Sequence, residues 1–357
     1  MIGILVCSGE GVYKNIGDYI QSVAQESFFD NINCYIEREL LNRVDEKEIV
    51  NIIMNGWFMW KPENFLPPTQ ALNPLFISFH LVPTIADRFF SDAVIEYLKR
   101  YEPIGARDYG TKELMEAHGI KSYFSGCLTL TLGLKYKSQK HSEKIYFVDP
   151  YYELALFNIK RLKSLKLYLL CIRYVFIIKK IRILANKILG GKKLSLTKRE
   201  LLFRAISFYH IYSKIFSNDV IFTGEYISHE VLQADYPTND SKMIYARSLI
   251  KKYAEASLVI TSRIHCALPC LGLETPVIYV DSEKLETGTN LRSPGRMKGL
   301  IELMNVIIFR QGKLYVDKME LNEKITLKSK IKNPNAYEQI RDSLIERIKD
   351  WKLKKLL

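Results

Sequence analysis

Short apolar runs, each closed by a glycine or a polar turn, alternate with stretches of helical spacing through most of this chain, and that alternation restricts its fold. Residues 2–7 are apolar and end near Gly9 and Gly11; residues 16–27 then have helical spacing. Residues 49–54 stop at Asn55-Gly56, residues 75–79 precede Pro83 and a helical stretch at 92–100, and residues 104–106 lead to a helix over 111–118 closed by Gly119. Residues 121–124 end at Gly126-Cys127. The pattern resumes with 144–148, 220–223, 257–261 and 276–280 as predicted strands, and with 241–255 and 266–273 as predicted helices or turns. Brief runs that are apolar at successive positions suit strands buried on both faces, which means a mostly parallel sheet covered by helices.

The chain has 357 residues, enough for two domains of ordinary size. The fold class expected is α/β, with two Rossmann-like domains facing a cleft. The first is expected over residues 1–138 and the second over 139–330, the change falling in the polar stretch 133–143. A helical insertion is expected at about 155–215 and a C-terminal helix at 331–357, packing across the pair. No internal repeat and no low-complexity segment is visible.

Charge is concentrated. The formal net charge is +13, and residues 160–199 alone hold 13 Lys or Arg and no Asp or Glu. Leu165, Leu169, Ile172, Val175, Phe176 and Ile183 are among the apolar residues interleaved with them. Two readings stand: a basic amphipathic surface resting on an anionic membrane, or an ordinary helical insertion with a solvated basic face. Nucleic acid ranks last, because no recognition motif accompanies the charge. The apolar beginning of the chain reads as a first strand, and no run is long enough to span a membrane. The expected location is the cytoplasm, with peripheral attachment to the inner face of the plasma membrane as a further possibility. The six cysteines form no CxxC pair, so reduced core thiols are expected and no metal.

Chemistry-bearing residues gather at strand ends, where open parallel sheets bind ligands. Residues 259–261 run into Ser262-Arg263-Ile264-His265. In an extended stretch, positions 263 and 265 would face one way. Arg263 suits a carboxylate or phosphate and His265 can move a proton near neutral pH. The alternative is a salt-bridged arginine and a structural histidine. Arg107 follows another apolar run and is a candidate anion contact, while its neighbour Asp108 suits a helix cap. Asn15 and Asp18 follow the first glycine loop, as contacts to a ligand or as caps of the next helix. Arg292 and Arg296 flank a turn, as a second anion contact or a solvated pair. His229 and His80 each follow an apolar run. Trp57 and Trp60 could stack on a sugar ring, beside Asn55.

These pieces, in this order, resemble the bacterial polysaccharide pyruvyl transferase family. The likeness rests on Asn15-Ile16-Gly17-Asp18, on Ala106-Arg107-Asp108 with its helix to Gly119, on Val259 to Leu268 with Ser262-Arg263-Ile264-His265 at its centre, and on Thr275-Pro276-Val277. Asn55-Gly56-Trp57 stands where a glycine-rich loop would be expected. The resemblance implies an architecture similar to GT-B glycosyltransferases, with the acceptor on the N-terminal side and the donor on the C-terminal side. It implies phosphoenolpyruvate as donor, with no separate cofactor, and a glycan or lipid-linked oligosaccharide as acceptor, in bacterial surface polysaccharide (exopolysaccharide or capsule) biosynthesis. The product implied is a cyclic ketal. Arg107, Arg263 and Ser262 are implied donor contacts. His265 is implied to deliver a proton, either to the methylene carbon or to the departing phosphate. Two other expectations are a GT-B glycosyltransferase using a nucleotide sugar and a non-catalytic, membrane-associated scaffold of glycan assembly.

Overall fold

A computed structural model describes residues 1–9, 11–44, 49–58, 60–66, 71–139, 142–156, 164–282 and 297–356. Among these residues the strands form two six-stranded sheets and a two-stranded ribbon. The strands are β1 (Ile2–Val6), β2 (Tyr13–Asn15), β3 (Cys34–Glu37), β4 (Val50–Trp57), β5 (Leu72–His80), β6 (Ile104–Ala106) and β7 (Ser122–Phe124), then β8 (Ile145–Val148), β9 (Glu225–Ile227), β10 (Glu230–Leu232), β11 (Leu258–Thr261), β12 (Val277–Ser282), β13 (Asn305–Arg310) and β14 (Lys313–Val316). The first sheet has the order β3-β1-β4-β5-β6-β7 and is parallel throughout. The second has the order β14-β13-β12-β11-β8-β9 and is parallel except at the β13–β14 hairpin. The ribbon pairs β2 with β10, setting Asn15 opposite Glu230.

Helices of eight or more residues are α1 (Ile16–Glu26), α2 (Asp92–Lys99), α3 (Tyr109–Ala117), α4 (Leu165–Arg173), α5 (Ile178–Lys187), α6 (Lys198–Tyr212), α7 (Asn239–Glu255), α8 (Ile264–Gly272) and α9 (Tyr337–Leu356). Both faces of each sheet are covered, as runs of successive apolar residues require. One buried cluster joins Ile4, Val6, Ile16 and Tyr19 to Tyr146, Val259 and Tyr279, so it reaches from the first sheet to the second. Another holds Leu5, Ile52, Phe76 and Phe79 on the far side of the first sheet. A third packs Phe147, Ile260 and Ile278 against α4, α5 and α6. Each fully buried Ile, Leu or Phe in these clusters contributes about 1.5–3 kcal/mol of transfer free energy.

Local signals explain the helix starts. Asp108 accepts from the backbone N–H of Thr111 at 2.9 Å and opens α3, as its spacing predicts. Thr238 opens α7 through a capping box with Ser241.

Two local readings change and one strand is added. Residues 220–223 are helical, not a strand: the helix Asn218–Thr223 has Asp219 in its first turn, and β9 begins only after Gly224. A side chain at Gly224 would press on the Val220 carbonyl and the Phe147 ring, so the chain turns there at close quarters. The extended stretch stops at Arg263, and residues 264–265 are already in a helix. Arg263 is the N-cap residue of α8 and His265 lies in its first turn, so their side chains leave in different directions. Strand β3 carries no apolar alternation; only Ile36 of its four residues is buried, and the strand forms because its backbone completes the edge beside β1.

Candidate functional site

The carboxyl ends of β1, β3, β4 and β6 converge where α1 begins. Gly17 allows the closest approach: a Cβ there would stand 3.0 Å from the Cβ of His265 and 3.4 Å from His229 Nδ1. The first turn of α1 thus lies against the first turn of α8, and both N-termini favour negative charge.

Arg107 sits just past β6 with none of its surface exposed. Its Nε is 3.5 Å from Asp108 Oδ2, and none of its guanidinium nitrogens has a hydrogen-bond partner among the described residues. Asp108 is engaged elsewhere. Its Oδ1 accepts from Thr111, and its Oδ2 lies 2.6 Å from His80 Nδ1. Burial lowers the pKa of Arg107, and the field of Arg38 pushes the same way against the support of Asp108 and Asp18. An anion between these cations would relieve both the burial penalty and their mutual repulsion.

Arg38 follows β3 and is buried. Its Nη1 lies 3.4 Å from Asp18 Oδ1 and its Nη2 donates to Cys7 Sγ at 3.1 Å. Burial disfavours its charge, but the carboxylates of Asp18 and Glu39 oppose burial and hold it protonated. Burial also pushes the Cys7 thiol up to about 12, so it stays protonated. A cavity of about 530 Å³ opens here, lined by Lys14, Asn15, Asp18, Glu39 and Trp60 among others. Trp60 is 54% exposed, and its backbone N–H donates to Glu39 Oε2 at 3.1 Å.

A polar chain links this cavity to α8. Gln21 Nε2 donates to Asp18 at 3.2 Å and lies 3.5 Å from His265 Nδ1. The next turn of α1 supplies Gln25, which accepts from Leu5 N–H and donates to Asn55 Oδ1. The Nδ2 of Asn55 is buried and has no hydrogen-bond partner among the described residues.

Arg263 belongs to a second cavity of about 360 Å³, lined also by Asp149, Lys192, Arg204, Glu230 and Ser262. Its Nε donates to Asp149 at 2.9 Å and its Nη2 to Glu230 at 2.7 Å. Burial works against all three charges, yet the pairing prevails: Arg263 is raised, while Asp149 and Glu230 are held below the usual carboxylate range. The salt-bridged alternative for Arg263 is thus the observed one. Asp149 adopts a left-handed backbone, φ 42°, at the end of β8, and accepts the backbone N–H of His229 at 2.8 Å. Such a conformation at a non-glycine residue costs on the order of 1–3 kcal/mol and persists where surrounding contacts enforce it.

The sequence profile of the family described as polysaccharide pyruvyl transferase matches residues 15–284, more than half of the 357 residues. The chain belongs to that family. No curated protein and no solved structure matches it.

In this member of a transferase family, the sequence candidates separate into groups. Asp18, His265 and Asn55 gather around α1, and Arg107 lies just past β6 beside Asp108. Asn15 lines the first cavity but its Oδ1 also caps α1, accepting from Gly17 N–H at 3.1 Å. Ser262 is engaged structurally: its hydroxyl donates to Val280 O at 2.5 Å and accepts from Tyr151 N–H at 2.8 Å. Trp57 packs on the His80 ring, centroids 5.6 Å apart, away from the exposed Trp60. His229 is buried, its Nε2 2.7 Å from the Tyr253 hydroxyl. Arg292 and Arg296 lie outside the described residues. Sequence reading missed Arg38, Gln21, Asp149 and Glu230. Asp149 was visible as the residue ending a predicted strand, and Arg38 would have been had β3 been recognised.

Proposed function

We propose that the chain transfers the pyruvyl group of phosphoenolpyruvate to two hydroxyls of one glycan sugar, forming a cyclic ketal and releasing phosphate in bacterial surface polysaccharide biosynthesis. The observation that supports this most is the buried Arg107 guanidinium, whose donors have no hydrogen-bond partner among the described residues, in a member of this family. Phosphoenolpyruvate carries a carboxylate and a phosphate, and a planar guanidinium matches either group with two parallel hydrogen bonds. Arg38 and the N-termini of α1 and α8 add positive potential around it. Arg263 would meet the donor through the guanidinium edge not engaged by Asp149 and Glu230, and Ser262 holds the strand end from which Arg263 projects.

The chemistry asks for little more than positioned proton transfer. A proton added to the methylene carbon creates the methyl group and makes the adjacent carbon electrophilic. One sugar hydroxyl adds there and gives up its proton. Phosphate leaves with the electrons of its C–O bond, and the second hydroxyl closes the ring with loss of a further proton. His265 is the group assigned to deliver a proton, with Gln21 orienting its ring. Trp60 offers a face for the sugar, and Asn15 and Asp18 can bind its hydroxyls.

In this reading residues 1–138 form the acceptor side and 139–330 the donor side of a GT-B-like cleft, with 331–357 packing across. The test is phosphate release from phosphoenolpyruvate against a panel of galactosides, glucosides and N-acetylmannosaminides. Release that requires both phosphoenolpyruvate and a sugar with two neighbouring hydroxyls is expected. Turnover of a UDP- or GDP-sugar without phosphoenolpyruvate would overturn the proposal.

A further inference from the structure

Helices α4 and α5 carry two apolar faces. Leu167, Leu170, Ile181, Leu184 and Ala185 are buried against α6. Leu169, Ile172, Val175, Phe176 and Ile183 are exposed, Ile172 at 71% and Phe176 at 99%. Val175 and Phe176 lie in the short turn Val175–Ile177 that joins the two helices. A solvated basic face accounts for the lysines and arginines but not for these residues. An unoccupied cluster of this kind, rimmed by polar residues, marks an interaction surface.

Charge identifies the occupant. Arg173, Lys179, Lys180, Arg182 and Lys187 are exposed on the same helices, and no acidic residue occurs between 160 and 199. Beside them, a cavity of about 640 Å³ is lined by Tyr168, Leu201, Leu202 and Phe203 together with Arg182 and Arg199. Apolar side chains at a turn, flanked by cations, match the boundary between lipid headgroups and acyl chains. Two copies of this chain meeting through the same face would oppose like charges. Among the described residues no helix is long and apolar enough to cross a membrane, so the contact is one of lying on the surface.

We infer that the α4–α5 face docks on an anionic phospholipid bilayer, inserting Ile172, Val175 and Phe176 at the headgroup boundary while the surrounding lysines and arginines neutralise lipid charge. Each cation near such a surface adds about 1 kcal/mol at most, and the apolar residues add the part that salt does not screen. The surface does not depend on the donor chemistry, since none of its residues lines the cavities assigned to the reaction.

The experiment is co-sedimentation of the full chain with phosphatidylcholine vesicles, with and without about 30% phosphatidylglycerol. Binding is expected only to the anionic vesicles, weakening as salt rises. The double variant Ile172→Ser/Phe176→Ser is expected to lose about tenfold or more in affinity, and Lys179→Glu/Lys180→Glu as much, both with unchanged melting and unchanged turnover on a soluble acceptor. No binding to anionic vesicles, or undiminished binding by either double variant, would overturn the inference. So would a solution dimer that Phe176→Ser dissociates, or binding to single-stranded RNA but to neither vesicle.

Discussion

The Nε of Arg107 lies 3.5 Å from Oδ2 of Asp108, its neighbour in the chain, while that same oxygen stands 2.6 Å from His80 Nδ1. Asp108 is therefore held by His80 and Thr111, and the buried Arg107 donors have no hydrogen-bond partner among the described residues. Removing a buried charge whose burial is only partly offset by its neighbours need not destabilise a fold and can strengthen it. The variant Arg107→Met is expected to melt within about 3 °C of the wild type or higher, a span near 1 kcal/mol for a chain of this size. Calorimetry checks this; a fall beyond about 8 °C would mean that Arg107 is a structural residue.

His265 should behave oppositely in activity and alike in stability. A positioned acid–base group is worth about 10²–10⁴-fold in rate, so His265→Ala is expected to lose that much turnover while remaining folded by circular dichroism. Gln21→Leu, which removes the side chain 3.5 Å from His265 Nδ1, is expected to lower turnover less and to alter its pH profile. Near-wild-type turnover by His265→Ala would remove it from the reaction.

Arg263 carries a pH signature. Asp149 is held below its usual value near 3.8 chiefly by Arg263, with Lys192 and His229 helping, against the effect of burial. A carboxylate with a depressed folded pKa stabilises the fold above its unfolded pKa and loses that contribution as pH falls through the folded value. Arg263→Met leaves two carboxylates short of a partner and is expected to cost on the order of 3 kcal/mol near neutral pH. The deficit should shrink as pH falls from neutral through the carboxylate range, where Asp149 and Glu230 of the variant, without the arginine that opposed burial, take up protons. Urea unfolding midpoints measured across that range test it, and a deficit independent of pH would contradict it.

A variant at Trp60 is expected to distinguish acceptor binding from donor binding. Its exposed ring beside Asn15 and Asp18 offers stacking worth about 1 kcal/mol. Trp60→Ala is expected to raise KM for the glycan severalfold and to leave KM for phosphoenolpyruvate unchanged. Equal shifts in both would place Trp60 outside the acceptor contacts.

Much of the fold was legible because it rests on local pattern. The strands Ile145–Val148 and Leu258–Thr261 are apolar at every position, and the helix after Asp108 carries its own cap and its own closing glycine. Strand Cys34–Glu37 escaped because an edge strand half open to solvent needs no apolar run, and with it went Arg38. Residues 220–223 deceived because Val220, Ile221 and Phe222 suit a strand by composition, whereas their place before Gly224 suits the last turn of a helix. Within the candidate site, the positions of Arg107 and His265 just past strand ends were readable. Partners distant in sequence were not: Gln21 reaches His265 across 244 positions, and Glu230 reaches Arg263 across 33. Long-range proximity of this kind is set by packing, not by neighbouring residues.

The most direct measurement is calorimetric titration of phosphoenolpyruvate into the wild type and into Arg107→Met. Binding by the wild type, and a loss of about a hundredfold or more in the variant with its fold intact, is the expected result for a buried guanidinium that grips the donor. Equal affinity in the two proteins, or binding of a nucleotide sugar but not of phosphoenolpyruvate by the wild type, would contradict it.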